Sequence, residues 1–196
     1  MNVFVLCTGR TASVAFAKAC EHIENFSASH ESRVQFLGEE RINFPDQHIE
    51  VDNRLSWFMG KLDEKYGKSA FYVHLLRDRE ATARSFMQRW EMKGSIIHAY
   101  AENILMGASG QGEDICRDYV DTVNANIRHF LKDKPQQMTI HLEQIRPGFE
   151  LFWQKIGAIG NLQAALAEFD AKHNPSLPTG GLLGKLKKRL KGSSLV

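Results

Sequence analysis

The chain has 196 residues, 43% of them hydrophobic and 24% charged, which is the size and composition of one globular domain rather than of a fibrous or disordered chain. No stretch approaches the roughly 18 consecutive apolar residues of a membrane-spanning helix, and Met1 leads into a strand-like segment without a basic, apolar leader. We therefore expect a cytoplasmic protein. Cys7, Cys20 and Cys116 follow no metal-binding or disulfide spacing, which predicts reduced thiols.

The net charge of +2 is unevenly distributed along the chain. A cluster of basic residues lies close to the C-terminus, namely Lys185, Lys187, Lys188, Arg189 and Lys191, whereas the rest of the chain is mildly acidic. We therefore divide the chain into a folded domain over residues 1–174 and a basic tail over 175–196, and we expect no nucleic-acid partner. Leucines at helical spacing in the tail fit a peripheral contact with anionic lipid as well as they fit a solvated terminus.

Strand and helix patterns alternate through the first domain. In chain order the predicted elements are a strand at 3–6, a helix at 13–23, strands at 26–31 and 46–53, a helix at 55–66, a strand at 70–76, helices at 80–90, 96–106 and 115–132, a strand at 138–142, and helices at 149–156 and 161–172. This alternation predicts a three-layer α/β fold, with a central parallel sheet of about five strands and helices on both faces. Ligands of such sheets bind beyond the carboxyl ends of the strands.

The turn after the first strand has the composition of an anion-binding loop. It runs Thr-Gly-Arg-Thr-Ala-Ser from Thr8 to Ser13, between a buried strand and a helix. Such a turn directs free backbone N–H groups and the positive end of a helix dipole at a ligand. Gly9 allows close approach of the backbone, the hydroxyl groups add donors, and Arg10 adds a planar positive charge. The turn therefore predicts a phosphate or sulfate site.

The spacing of residues distinguishes three kinds of anion-binding loop that occur between a strand and a helix. A Walker A loop requires a second glycine followed by lysine, and both are missing here. A cysteine phosphatase loop requires an arginine six residues after the nucleophile, but Ser13 stands six residues after Cys7, so we interpret Cys7 as a small buried hydrophobic residue. The turn resembles instead the loop with which sulfotransferases bind the 5′-phosphosulfate of 3′-phosphoadenosine 5′-phosphosulfate (PAPS), with Ala12 in place of the usual glycine.

A second element supports this resemblance. The strand at 70–76 ends at Arg77, and Ser85 follows eight residues later within a predicted helix. In sulfotransferases an arginine and a serine at this spacing bind the 3′-phosphate of PAPS, and a guanidinium group can hold a phosphate through two hydrogen bonds. The resemblance implies a P-loop NTPase-like sulfotransferase fold, PAPS as co-substrate and no metal. It implies that the co-substrate is bound by Thr8, Gly9, Arg10, Thr11, Ala12, Ser13, Val14, Arg77 and Ser85.

The resemblance also implies catalytic roles. Arg10 takes the place of the basic loop residue that stabilises the leaving phosphate. Glu31-Ser32-Arg33 resembles the Glu-Thr-Arg of tyrosylprotein sulfotransferases, which implies Glu31 as the base and places Arg33 beside the sulfate. His30 would suit the same proton transfer, because its ordinary pKa is near 6.5. His74, inside an apolar strand, is interpreted as a core residue.

We therefore expect an enzyme that transfers a sulfuryl group from PAPS to a hydroxyl or amine of a small-molecule, carbohydrate or peptide acceptor. Two alternatives remain open. One is a small-molecule kinase with a P-loop-type fold, and the other is a non-catalytic nucleotide-binding protein with the same fold.

Overall fold

The computed structural model describes residues 1–107, 110, 112–171 and 173. Five strands of this part of the chain form one sheet: β1 Val3–Leu6, β2 Ser27–His30, β3 His48–Val51, β4 Phe71–Leu76 and β5 Gln137–His141. All neighbours are parallel, in the order β2-β3-β1-β4-β5, and Val5 of β1 lies opposite Val51 on one side and Val73 on the other. The predicted parallel sheet of about five strands is confirmed.

Seven α-helices connect and follow the strands within the described residues. They are α1 Ser13–Cys20, α2 Met59–Tyr66, α3 Arg79–Met87, α4 Ile96–Ala99, α5 Gly112–Leu131, α6 Ile145–Ile156 and α7 Leu162–Ala167. A π-helical turn at Tyr100–Ile104 continues α4, and 3₁₀ turns form at Gly38–Ile42, Asn53–Trp57 and Leu142–Gln144. None of the described helices is both long and apolar enough to cross a bilayer. The predicted basic tail at 175–196 lies outside the described residues.

Several predicted helices have other bounds in the structure: those expected over 13–23, 80–90 and 161–172 end earlier, and the one expected over 96–106 becomes π-helical after Ala99. Two further differences have a clear local cause. The helix expected over 55–66 is divided, because the Asp52 side chain accepts a hydrogen bond from Arg54 N and caps a 3₁₀ turn before α2 begins. The helix expected to begin at residue 149 begins at Ile145 instead. Its first turn contains Pro147, which a helix tolerates there because the first N–H groups have no intrahelical partner.

The two faces of the sheet bury separate apolar cores, which makes three layers. On one face, Val3 and Val5 of β1 pack with Phe16 of α1 and with α6 and α7. On the other face, Phe4 and Leu6 pack with α2, α3 and α5. Alternate residues of the central strands β1 and β4 therefore serve opposite cores, which is why β1 is a continuous apolar run and β4 is interrupted only by His74.

The chain reverses its direction across the sheet at β1. It runs from β1 to the edge strand β2, returns through β3 beside β1, and then crosses to β4 and β5 on the other side. Such a reversal opens a crevice beyond the carboxyl ends of the strands, and ligands of open α/β sheets bind there. The turn from Cys7 to Ala12 lies at this position, directly after β1.

Candidate functional site

The turn after β1 is held in an unusual backbone conformation. Gly9, Arg10 and Ala12 have φ angles of 84°, 61° and 63°, in the left-handed region that residues other than glycine rarely adopt. The carbonyl of Thr8 accepts hydrogen bonds from the hydroxyl of Tyr119 at 2.8 Å and from Asn53 Nδ2 at 3.4 Å. A Cβ at position 9 would lie 2.8 Å from Asn53 Nδ2, so a side chain there would displace Asn53 and would also be strained by the positive φ. The turn is thus fixed from two neighbouring elements.

Cys7 is completely buried, and its thiol is not a nucleophile for this site. Burial raises the pKa of Cys7 to about 11, although weaker hydrogen bonds oppose the shift. A thiolate is the reactive form of cysteine, and it is scarce at neutral pH under these conditions. The interpretation of Cys7 as a buried hydrophobic residue is confirmed.

Helix α1 begins without a side-chain cap. Its N-cap residue is Ala12, which has no oxygen to accept from the first-turn N–H groups. These groups have no partner within the helix, so they are available to an anion. The residues of this first turn line a cavity of about 300 Å³, which we call the α1 cavity. It is lined by Arg10, Ala12, Ser13, Val14, Ala15, Arg77, Leu142, Ile145, Phe169, Ala171 and His173.

Positive charge is concentrated around the α1 cavity. Arg77 Nη1 donates to the carbonyl of Arg10 at 3.0 Å, and Arg10 Nε donates to Ser85 Oγ at 2.9 Å. Burial, and then the charges of Arg89 and Arg77, lower the pKa of Arg10 to about 10. None of the described residues that line this cavity is acidic. A bound anion would therefore relieve the mutual repulsion of the guanidinium groups.

A second cavity, of about 290 Å³, lies at the end of β2, and we call it the β2 cavity. It is lined by Gly9, Arg10, Ser13, Val14, His30, Glu31, Asn53, Arg54, Phe86, Arg89, Met92, Lys93, Gly94, Ser95 and Ile96. Arg10, Ser13 and Val14 line both cavities, so these three residues form a wall between them. The two spaces meet at the side chains that the sequence assigns to phosphosulfate binding.

The two candidate bases both reach the β2 cavity. His30 Nε2 and Ser13 Oγ share a hydrogen bond of 3.1 Å. Glu31 has a φ angle of 49°, and its Oε2 accepts from Arg54 Nη1 at 2.6 Å. Left-handed backbone at a residue with a side chain is a form of strain that concentrates at functional sites. The end of β2 thus presents a histidine and an ion-paired carboxylate to one space.

Arg54 is positioned by a buried ion pair. Arg41 Nη2 donates to Asp52 Oδ2 at 2.6 Å, and Asp52 Oδ1 accepts from Arg54 N at 2.7 Å. Burial raises the pKa of Asp52, although the charge of Arg41 opposes the shift. Asp52 is therefore a support for the turn after β3 and does not line the β2 cavity.

Arg33 is a predicted catalytic residue that the structure places at a different cavity. Its guanidinium lies over the rings of Phe36 and Phe44 and donates to the carbonyl of Glu40 at 2.9 Å. It lines a different cavity, together with Ser27, Ser29, Ser32 and His48. The arginine that contacts Glu31 is Arg54 instead, because the chain turns away from the β2 cavity after Glu31.

Three other predicted residues are buried. Thr8 and Thr11 are at most 2% exposed. Thr8 Oγ1 donates to the carbonyl of Gly9 at 2.8 Å, so this hydroxyl group supports the turn. Ser85 lines neither cavity and holds the side chain of Arg10. That Ser85 binds a phosphate stays a prediction. His74 is a core residue as expected, with its Nε2 3.0 Å from Asn124 Oδ1.

The sequence indicates the segment between Lys93 and Lys134 as a source of acceptor contacts, but it does not single out several residues that line or hold the site. Arg89 and Lys93 lie in the segment between α3 and α4, and Tyr119 reaches the turn from the middle of α5. A tyrosine at a buried helical position looks like any other core residue, so no local signal identifies it.

Comparison with models of known protein families finds no match for this chain, and comparison with curated proteins finds none either. The geometry of the two cavities and of the wall between them is therefore what indicates a function.

Proposed function

We propose that this protein is a sulfotransferase with a P-loop NTPase-like fold, which transfers a sulfuryl group from PAPS to a hydroxyl or amine of an acceptor. The observation that carries the proposal is the wall formed by Arg10, Ser13 and Val14. An in-line transfer requires the donor and the acceptor on opposite sides of the group that moves. Two cavities that share one basic residue provide this arrangement.

The α1 cavity suits the donor. The uncapped first turn of α1 and Arg10 are available to the phosphosulfate, and Arg77 can hold a second phosphate group. The side chains of Leu142, Ile145 and Phe169 give the same cavity an apolar wall on which a nucleotide base can pack. A cluster of cations beside an apolar surface matches a phosphorylated nucleoside better than it matches inorganic phosphate.

The β2 cavity suits the acceptor. PAPS supplies an activated sulfur, so the protein has to remove a proton from the acceptor and stabilise the charge that develops on the leaving phosphate. The acceptor oxygen or nitrogen forms a bond to sulfur, the bond from sulfur to the phosphate oxygen breaks, and that oxygen keeps the electron pair. Arg10 faces the developing charge, and its role is electrostatic because it remains protonated.

Glu31 stays the proposed base, with His30 as the second candidate. Both side chains line the acceptor space, and each already contacts another residue of the same cavity wall. Arg54 fixes the carboxylate of Glu31, so that group is oriented before an acceptor binds. Arg33, which lines another cavity, has no part in this proposal.

Nucleotide titration of the purified full chain tests the proposal. By isothermal calorimetry, 3′-phosphoadenosine 5′-phosphate (PAP) is expected to bind about tenfold or more tightly than adenosine 5′-phosphate, because Arg77 adds charge-assisted hydrogen bonds to the 3′-phosphate. Arg77→Ala should remove this difference, whereas Arg84→Ala, on the exposed side of α3, should keep it.

Two other outcomes decide between the proposal and its alternatives. A preference for ATP with Mg²⁺ over PAP would contradict the proposal and favour the kinase. Tight PAP binding without sulfuryl transfer to any member of an acceptor panel would favour the non-catalytic nucleotide-binding protein.

A further inference from the structure

A serine, a histidine and a glutamate form a hydrogen-bonded chain at the β2 edge of the sheet. Ser27 and His48 lie opposite each other at the beginnings of β2 and β3, and Glu50 follows two residues later on the same face of β3. Ser27 Oγ and His48 Nδ1 are 2.8 Å apart, and His48 Nε2 and Glu50 Oε2 are 3.0 Å apart. These are the distances expected between a nucleophile, its base and a residue that orients the base.

The carboxylate of Glu50 determines which nitrogen of His48 carries the proton. Glu50 is completely buried, and it also accepts hydrogen bonds from the backbone N–H and the hydroxyl of Ser32, both at 2.7 Å. Burial acts to raise the pKa of Glu50, but the hydrogen bonds from His48 and Ser32 outweigh burial and lower the pKa. Since a carboxylate only accepts, His48 Nε2 donates to it. Nδ1 of the neutral ring is then the acceptor for the hydroxyl of Ser27.

The base of this group is enclosed, whereas the hydroxyl is open to solvent. The ring of Phe44 stacks on the ring of His48, with the two planes at 10° and the centroids 5.5 Å apart. His48 is 4% exposed, but Ser27 is an exposed residue. The ring therefore keeps its orientation while a small molecule can reach the oxygen of Ser27. Serine triads on unrelated folds are recognised by this division of roles rather than by sequence position or by which ring nitrogen faces the serine.

Ser27 and His48 line a cavity of about 320 Å³, which we call the Ser27 cavity. None of its described lining residues also lines the α1 cavity or the β2 cavity. Arg33 lines it as well, and although Glu40 shares the charge of this guanidinium, a cation here can stabilise an oxygen that becomes negative. Three apolar residues complete the space, namely Phe36, Phe44 and Pro45.

We propose that Ser27 is the nucleophile of a separate hydrolytic site, which cleaves carboxylic esters with a short apolar acyl group. Ser27 Oγ forms a bond to the carbonyl carbon while His48 Nδ1 takes its proton. The bond from that carbon to the alcohol oxygen then breaks, and the oxygen keeps the electron pair and receives the proton from His48. Water hydrolyses the acyl-serine by the same steps and restores the hydroxyl. Glu50 is the positioning residue, because it acts on the substrate only through His48.

The class of substrate follows from the lining and the size of the Ser27 cavity. Its volume of about 320 Å³ is at the small end of ligand sites, and its apolar side chains suit a short acyl chain. The inference does not depend on the proposed sulfuryl transfer, because the two sites share no described lining residue.

A fluorophosphonate probe, which reacts with activated serine hydroxyl groups, tests the nucleophile directly. After incubation with the purified full chain, peptide mass spectrometry should find the label on Ser27. Ser27→Ala should abolish the labelling, and this variant is expected to fold because Ser27 is exposed. Ser29→Ala is the matched control, since Ser29 lines the same cavity from the same strand, and it should keep the wild-type rate.

Hydrolysis of p-nitrophenyl butyrate measures turnover. We expect an initial burst of about one p-nitrophenolate per chain, as an acyl-enzyme requires. Ser27→Ala and His48→Gln should each lower kcat/KM by roughly 10²–10⁴-fold. His129→Gln controls for ester cleavage by an exposed imidazole and should behave as the wild type does.

Glu50→Gln distinguishes orientation of the base from packing. The amide nitrogen can donate to His48 Nε2, so the neutral ring should shift towards the tautomer with its proton on Nδ1, as measured by ¹⁵N NMR. The rate of labelling at Ser27 should fall with that shift. An unchanged tautomer together with the wild-type rate would contradict the role of Glu50.

Two results would overturn the ester-cleaving site itself. One is a folded wild-type chain in which Ser27 stays unlabelled and p-nitrophenyl butyrate is cleaved no faster than by Ser27→Ala. The other is labelling of Ser27 at the wild-type rate in a His48→Gln chain that urea denaturation shows to be folded. Either result would leave the three residues as a structural network that satisfies the buried carboxylate.

Discussion

At the scale of single residues, His30 and Glu31 are neighbours in the chain but have different partners. His30 shares a hydrogen bond with Ser13 of the wall between the cavities, whereas Glu31 is paired with Arg54. If His30 is the base, it would act close to the proposed phosphosulfate site. If Glu31 is the base, it would act deeper in the proposed acceptor space. Substitution at the two positions therefore tests where the acceptor loses its proton.

We expect Glu31→Gln to lower turnover by roughly 10²–10⁴-fold with little change in PAP affinity, since Glu31 lines only the β2 cavity. The amide still accepts a hydrogen bond from Arg54, so the fold of the turn is preserved. The acid limb of the pH–rate profile should disappear with the carboxylate. His30→Gln serves as the comparison and should have the milder effect. Loss of turnover in His30→Gln but not in Glu31→Gln would reverse the two roles.

The buried His74 makes the folding stability of the chain depend on pH. It is 2% exposed, and burial lowers its pKa to about 4, although the hydrogen bond with Asn124 opposes the shift. The unfolded chain binds a proton at this histidine below an ordinary pKa near 6.5, whereas the folded chain does so only near pH 4. Folding stability therefore falls as the pH is lowered from about 6.5 to about 4.

The variant His74→Gln should remove this part of the acid sensitivity while keeping a partner for Asn124. Between pH 7 and pH 4, we expect the wild-type chain to lose roughly 2–3 kcal/mol of unfolding free energy more than the variant loses, as measured by urea denaturation. His129→Gln, at an exposed position of α5, should behave as the wild type does. Identical pH dependence in wild type and His74→Gln would show that His74 titrates normally in the folded chain.

At the scale of elements, the beginning of α1 combines a strained residue with an absent cap. Ala12 has φ 63° and ψ 27°, a left-handed conformation that costs a residue with a Cβ about 1–2 kcal/mol. It also offers no oxygen to the first-turn N–H groups, which leaves them to a ligand. The turn therefore gives up local stability in a way that favours anion binding.

Ala12→Gly should raise the unfolding free energy by up to about 1 kcal/mol, because relief of the left-handed strain exceeds the extra freedom of glycine in the unfolded chain. Ala17→Gly, in the middle of the same helix, is the matched control. It should lower the unfolding free energy by about 1 kcal/mol or more, since a buried methyl group and helix propensity are both lost. Thermal and urea denaturation of the two variants measure the difference. Destabilisation by both changes would contradict the left-handed conformation of Ala12.

Regular elements could be predicted from the sequence where burial alone decides them. The four residues of β1 are buried on both faces, so their apolar run marks the strand to the residue. The 3₁₀ turn at Asn53–Trp57 could not be predicted, because it depends on the Asp52 side chain capping Arg54 N. The same composition without that cap would continue a helix into α2.

The same distinction applies to the candidate site: residues placed by the strands could be predicted from the sequence, and residues placed by side-chain contacts could not. Arg10, His30, Glu31 and Arg77 come together because each follows or ends a parallel strand, and the carboxyl ends of such strands share one edge of the sheet. The side chain of Arg33 leaves this edge because its partners include Phe44, which lies eleven residues further along the chain. Contacts of that kind depend on the folded chain and have no spacing signal.

At the scale of the whole molecule, both covering layers reach the turn after β1. Tyr119 of α5 comes from the layer that packs on Phe4 and Leu6, and it holds the carbonyl of Thr8. Helix α1 belongs to the opposite layer and begins at the other end of the same turn. The turn is therefore fixed between the two layers, so its N–H groups keep their direction before any ligand binds.

The wall that Arg10 provides to both cavities has a thermodynamic consequence. An anion in either cavity shares the same countercharge, so occupation of one space weakens the attraction that Arg10 exerts in the other. Linkage requires this effect to be reciprocal: the factor by which the nucleotide weakens the binding of an anion in the β2 cavity is the factor by which that anion weakens the binding of the nucleotide. The proposed nucleotide in the α1 cavity and an anion in the β2 cavity would then oppose each other through one guanidinium group without touching. At equilibrium, saturating the β2 cavity with an anion should consequently raise the Kd of the nucleotide, whether it is the donor or the product.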